Sequence, residues 1–328
     1  MAGRGAPLSA RFWILWGRQS LDWTETKARS APYYRWRRTL TLAAAAIALT
    51  FVAVPSALGF LTTYRLLYAP CGEDPRTPAD FGHPWEDVTI AGRAGHFRAY
   101  FIPGTNGAAV IIPPATQAGR GNRLHEADVL ARHGYAVLTF ESRRCADAGP
   151  LSLGYEEADD IGDALAYLQT RADVQPGRIG VLGFSSAGAA AVMAAARYPA
   201  LRAVIAEGGY GDFAEGTLAL GAGGPLEVLY KEAIALSYRL LSGVELAKLS
   251  PQGAIGHIAP RPVLLIYGSR ESTLDGARKQ LAAAGPTAEL WIVEGAGHGD
   301  YLAVAPQEYE ARVIAFFDAA LLGKQCVG

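Results

Sequence analysis

VLGFSSAGAAAV, residues 181–192, joins an apolar run, RIGVLG (178–183), to two adjacent serines and then to a stretch made almost wholly of alanine and glycine. A strand that ends on a serine and turns at once into a helix holds that serine in a strained backbone, so its neighbours must carry little side chain. Gly183 lies two places before Ser185 and Ala187 two places after it. For Ser186 the bulky Phe184 would fall at the crowded position. Ser185 is therefore the candidate nucleophile. The backbone N–H of Ser186, at the helix start, is the candidate donor to a developing oxyanion. A serine that only caps a buried helix would read the same over this stretch, so the rest of the chain has to decide.

A serine hydroxyl attacks poorly until a base takes its proton. Of the six histidines, His298 in EGAGHGD follows the last expected strand, between glycines that let the loop bend the imidazole towards the strand ends. His257 is a distant second. A third group must hold the neutral tautomer and stabilise the imidazolium that forms. It should lie on the loop after RPVLLIYG (261–268), where SRESTLDG offers Glu271 and Asp275. Glu271, three residues past Gly268, is preferred, because Asp275 also suits the start of the helix DGARKQLAAAG.

Outward from these loops the periodicity alternates. EDVTIAG (86–92) and HFRAYFIPG (96–104) read as a hairpin, and AAVIIPP (108–114), YAVLTFES (135–142), RIGVLG, LRAVIAEG (201–208), RPVLLIYG and AELWIVEG (288–295) as further strands. Helical patterns fill 122–134, 155–172 and 309–323. This is an α/β chain with a mostly parallel eight-stranded sheet and helices on both faces. Residues 211–252 break the rhythm with PLEVLYKEAIALSYRLLSG and read as a helical lid insertion.

From about residue 75 onward the chain resembles the alpha/beta-hydrolase superfamily. GFSSAG resembles its nucleophile elbow, YGSRE its acid loop and GAGHG its histidine loop, in the superfamily's order. TPADFGHPWEDVTI followed by HFRAYFIPG resembles the amino-terminal hairpin of the dienelactone hydrolase and prolyl oligopeptidase-like branch. The resemblance implies a serine hydrolase acting on a small or lipid-like ester, thioester or amide through an acyl-enzyme on Ser185, with Glu271 and His298 completing the triad. It implies no metal or organic cofactor. One departure stands out. Where relatives carry His-Gly after the third strand, this chain has Ile112-Pro113-Pro114-Ala115-Thr116. Proline has no N–H, so Ala115 is the matching second oxyanion donor. An acyltransferase would use the same nucleophile, and a non-catalytic binding domain is the reading that the two prolines favour.

The amino-terminal region carries a separate signal. TLTLAAAAIALTFVAVPSALGFL (39–61) contains no charge, and as a helix of about 1.5 Å rise per residue it spans the hydrocarbon core of a bilayer. Arg4, Arg11, Arg18, Lys27, Arg29, Arg35, Arg37 and Arg38 precede it against Asp22 and Glu25. That bias predicts a cytoplasmic tail (1–38) before a transmembrane helix (39–62), with the catalytic domain (85–328) extracytoplasmic; between them 63–84, rich in Pro, Asp and Thr, reads as a linker. Trp13, Trp16 and Trp23 suit an amphipathic helix along the inner leaflet. A formal net charge of -1 gives no reason to expect a nucleic-acid partner. The three cysteines, Cys71, Cys145 and Cys326, show no CxxC spacing and leave any disulfide pairing open.

Overall fold

Eight apolar runs form one sheet in the order β1-β2-β4-β3-β5-β6-β7-β8. The strands are β1 (Glu86–Ala91), β2 (His96–Ile102), β3 (Ala109–Ile112), β4 (Ala136–Phe140), β5 (Ile179–Phe184), β6 (Leu201–Glu207), β7 (Val263–Gly268) and β8 (Ala288–Val293). The structure, a computed structural model, describes residues 23–324, with side chains from residue 33 onward. β1 and β2 form an antiparallel hairpin, β2 meets β4 antiparallel, and every other pairing is parallel.

The inner strands are apolar on both faces because both faces are covered. Val181, Val204 and Leu265 face one core, while Leu182, Ile205 and Ile266 face the other. The first core is closed by α3 (Glu157–Gln169), α4 (Ser186–Arg197) and α7 (Leu274–Ala284), the second by α2 (Leu124–Arg132) and α8 (Pro306–Phe317). The alanine run after Ser185 now has a physical reason. In α4, Ala189, Ala190, Ala191, Ala194 and Ala195 are all buried, and only small side chains let a helix lie this close to β5 and β6. The chain leaves β3 for β4 on one side and enters β5 on the other. The sheet therefore has its switch point there, which places a crevice at the carboxyl ends of β3 and β5.

Between the neighbouring strands β6 and β7 lie a π-helical turn (Phe213–Thr217), α5 (Pro225–Ser242) and the short α6 (Pro251–Ala254). Asp275 is not the cap of α7, because the helix begins one residue earlier, after Thr273. Asp275 sits in the first turn and pairs with Arg278 at 2.9 Å.

The chain divides into two units, Met1–Phe51 and Val52–Gly328. Helix α1 (Trp23–Leu67) is longer than the expected span, and its stretch Tyr33–Leu67 is long and apolar enough to cross a membrane. In the first unit Leu40, Leu42, Ile47, Leu49 and Phe51 are exposed. The expected inner-leaflet helix with Trp13 and Trp16 lies outside the described residues. In the second unit, the segment 63–84 is not the free linker that its Pro, Asp and Thr content suggested. Thr63 and Leu67 are buried, Gly72 bridges to Ala118, and Cys71 is joined to Cys145. That disulfide pairs the segment with the loop after β4, 74 residues on. Replacing both cysteines with serine is expected to lower stability by roughly 2–5 kcal/mol, since the bond removes loop entropy from the unfolded chain. Urea unfolding of the oxidised wild type against the double variant measures it.

Candidate active site

Ser185 ends β5 and caps α4 with φ 59 and ψ -125, a backbone that L-residues seldom adopt. Two glycines make the turn fit. A Cβ on Gly183 would run into the Ala187 carbonyl, and one on Gly188 would meet the Glu207 carbonyl at 2.9 Å. Gly188, rather than Ala187, is thus the residue that lets α4 pass the backbone of β6. The Ser185 amide donates to the Glu207 carbonyl at 2.7 Å, which fixes the elbow to β6.

The three groups expected from separate loops are in hydrogen-bonding reach of one another. Ser185 Oγ lies 3.1 Å from His298 Nε2, and His298 Nδ1 lies 2.9 Å from Glu271 Oε2. The other Glu271 oxygen accepts from the Gly268 amide at 2.7 Å and from the Tyr301 hydroxyl, and Thr273 donates to Oε2. Burial pushes the Glu271 carboxyl up. The bonds from His298, Gly268 and Tyr301 outweigh it and hold the group below its ordinary range. The imidazole itself is 48 % exposed, so the site is open to an incoming molecule.

His298 also stacks on Phe184, with ring centroids 4.7 Å apart. The Arg123 guanidinium lies over the same Phe184 ring at 4.5 Å. Arg123 binds Glu207 at 2.8 Å and Glu126 at 2.7 Å, and Tyr309 donates to Glu207. Glu207 is fully buried, and burial pushes its carboxyl up to about 7 against the pull of Arg123. None of Tyr301, Arg123, Glu207 and Tyr309 was legible as part of the site.

After β3 the chain runs Pro113-Pro114-Ala115-Thr116, and Thr116 adopts φ 38. Its amide and hydroxyl lie 3.3 and 3.1 Å from Ser186 Oγ, so the second serine's hydroxyl ties the β3 loop to the elbow. With the Thr116 amide engaged, the amides of Ala115 and Ser186 remain without a protein acceptor among the described residues. The remaining histidines are elsewhere. His257 faces the Ala254 carbonyl, His83 pairs with Asp128, and His133 with Glu310.

Sheet order, elbow and hydrogen-bonded series together define the class, a serine-type hydrolase of the α/β fold. The family model for X-Pro dipeptidyl-peptidases (S15 family) matches residues 30–296, and the chain belongs to that family. No curated protein matches in sequence. Solved structures match the fold. An esterase of Pyrococcus furiosus superposes with a TM-score of 0.63 at 22% identity, over 79% of this chain and 98% of that one. A hypothetical protein of Pseudomonas aeruginosa gives 0.58 at 21%, over 73% and 94%. An alpha/beta hydrolase of a Penicillium species gives 0.56 at 16%, over 73% and 99%.

Proposed function

We propose that the chain is a membrane-anchored serine hydrolase that cleaves a carboxylic ester through an acyl-enzyme. The observation that carries this reading is the series Ser185 Oγ, His298 Nε2, His298 Nδ1 and Glu271 Oε2, with contacts of 3.1 and 2.9 Å. Ser185 attacks the carbonyl carbon while His298 takes its proton at Nε2. Glu271 keeps the other ring proton on Nδ1 and stabilises the imidazolium. The Ser186 and Ala115 amides receive the oxyanion. His298 then returns the proton to the leaving alkoxide, and water, deprotonated by the same imidazole, releases the acid.

The uncharged run in α1 anchors the chain, with the basic residues before it held in the cytoplasm and the catalytic body outside. The Cys71–Cys145 bond supports that side assignment, since disulfides persist in oxidising compartments.

Membership of the S15 family favours a second reading, cleavage of a peptide after proline. The two readings part on one panel. Purified full chain is offered p-nitrophenyl esters of increasing acyl length and Xaa-Pro p-nitroanilides. Ester turnover with a preferred acyl length, and kcat/KM at least about a hundredfold above that for the anilides, is expected. The reverse preference replaces the ester with a peptide and leaves the triad in place.

A further inference from the structure

Four residues of α1 at a spacing of four, Pro55, Gly59, Thr63 and Leu67, are buried in the second unit. Gly59 and Thr63 meet the insertion helix α5. A Cβ on Gly59 would lie 2.7 Å from Ala233 Cβ and 2.8 Å from the Tyr230 carbonyl, so only glycine permits this approach. Thr62 Oγ1 lies 3.1 Å from the Tyr230 hydroxyl, and Thr63 Oγ1 is 3.5 Å from the Ile234 carbonyl. These contacts fall on residues 59–63, inside an uncharged run that begins at residue 39 and ends before Arg65.

Beside that contact α5 carries an apolar stripe. Leu226, Leu229, Ala233, Leu236 and Leu240 recur at helical spacing and fall within about 80° of one another around the axis. Leu226 is 47% exposed, Leu236 59% and Leu240 73%. On α1 itself Val52, Val54, Leu58 and Phe60 are exposed as well. The same helix pair is joined to the rim of the site. Leu67 and Tyr238 share one apolar cluster with Ala189, four residues past Ser185, and Tyr210, two past Gly208, which packs against His298.

The geometry points to α5 as an interfacial helix: its leucine stripe rests in the outer-leaflet lipid beside α1, and the site takes its ester from the bilayer. Continuity with the uncharged run selects lipid as the occupant, because a helix locked onto residues 59–63 shares the depth of that run. The inference rests on the anchored-hydrolase reading and names its substrate class as a membrane-borne acyl ester.

The test uses the full chain in phosphatidylcholine–phosphatidylglycerol nanodiscs. In a Cys326→Ser background, an environment-sensitive dye is placed at Leu236→Cys, with Glu289→Cys, an exposed position on the edge strand β8, as control. Dye at 236 is expected to shift to the blue and to be quenched at least threefold more by doxyl-labelled lipid than dye at 289. Water-like, unquenched emission at 236 overturns the docking, as does burial of the dye by a second copy in lipid-free detergent. A Leu226→Ser, Leu236→Ser, Leu240→Ser variant reads the substrate source. Its kcat/KM on p-nitrophenyl acetate should stay within twofold of wild type and fall at least fivefold on dioleoylglycerol carried in the disc. An equal change on both substrates overturns the bilayer source. Wild type that turns over neither ester while the dye is lipid-quenched sinks the hydrolase reading instead.

Discussion

Ser185→Ala is expected to abolish labelling by a fluorophosphonate probe and to cut kcat by roughly 10⁶-fold on a short ester, the scale at which loss of the nucleophile disables a triad. The variant should still fold. Among the described residues the Ser185 hydroxyl has one side-chain partner, His298 Nε2, while its backbone is held by the Glu207 carbonyl whatever the side chain. A companion variant sharpens the argument. At φ 59 and ψ -125 any side chain is strained, and such a residue costs on the order of 1–3 kcal/mol. Ser185→Gly should therefore be as inactive as the alanine variant yet melt a few degrees above it, at about 2–4 °C per kcal/mol for a domain of this size. Labelling of Ser185→Ala at the wild-type level would remove this residue from its role. A glycine variant less stable than the alanine variant would deny that the elbow stores strain.

The strands were legible because a parallel sheet covered on both sides needs apolar residues at every position, and short continuous runs announce that. The elbow was legible through Gly183, whose missing side chain is a steric demand visible in one dimension. Order along the chain located Glu271 and His298, because strand ends converge in a switch-point sheet. Contacts that depend on register between distant elements left no trace. Tyr301 follows the histidine loop with no pattern that marks it, yet it donates to Glu271. Arg123 and Glu207 lie 84 positions apart, and only the fold, which brings the start of α2 to the carboxyl end of β6, joins them at 2.8 Å. Cysteines without a spacing pattern could not reveal their partner. The segment 63–84 read as a linker because Pro, Asp and Thr signal turns, whereas its attachment comes from a disulfide and from a helix stripe of only four residues. Phe184 was legible only as an obstacle to choosing Ser186. In the fold it is the platform on which the imidazole stacks.

Glu271→Gln is expected to lower kcat by about 10⁴-fold while leaving the fold and the Ser185 elbow intact. Among the described residues the carboxylate accepts from His298 Nδ1, the Gly268 amide, Tyr301 and Thr273. Glutamine matches its shape but offers one acceptor oxygen and one donor amide. Gly268 and Tyr301 converge on Oε1 and claim the acceptor, so the amide nitrogen falls opposite Nδ1 and donates to it. The ring proton then moves to Nε2, where it faces Ser185 Oγ and prevents the imidazole from acting as base. Stability should respond in a defined direction as well. The folded-state carboxyl of Glu271 lies below its ordinary value, so its contribution is full above the unfolded value of about 4.3 and is lost as pH falls through the lower folded value. The gap in unfolding free energy between wild type and Glu271→Gln should therefore be widest near neutral pH and close on acidification. A gap that widened in acid would mean that the carboxyl is protonated in the folded enzyme, and the tautomer argument would fall with it.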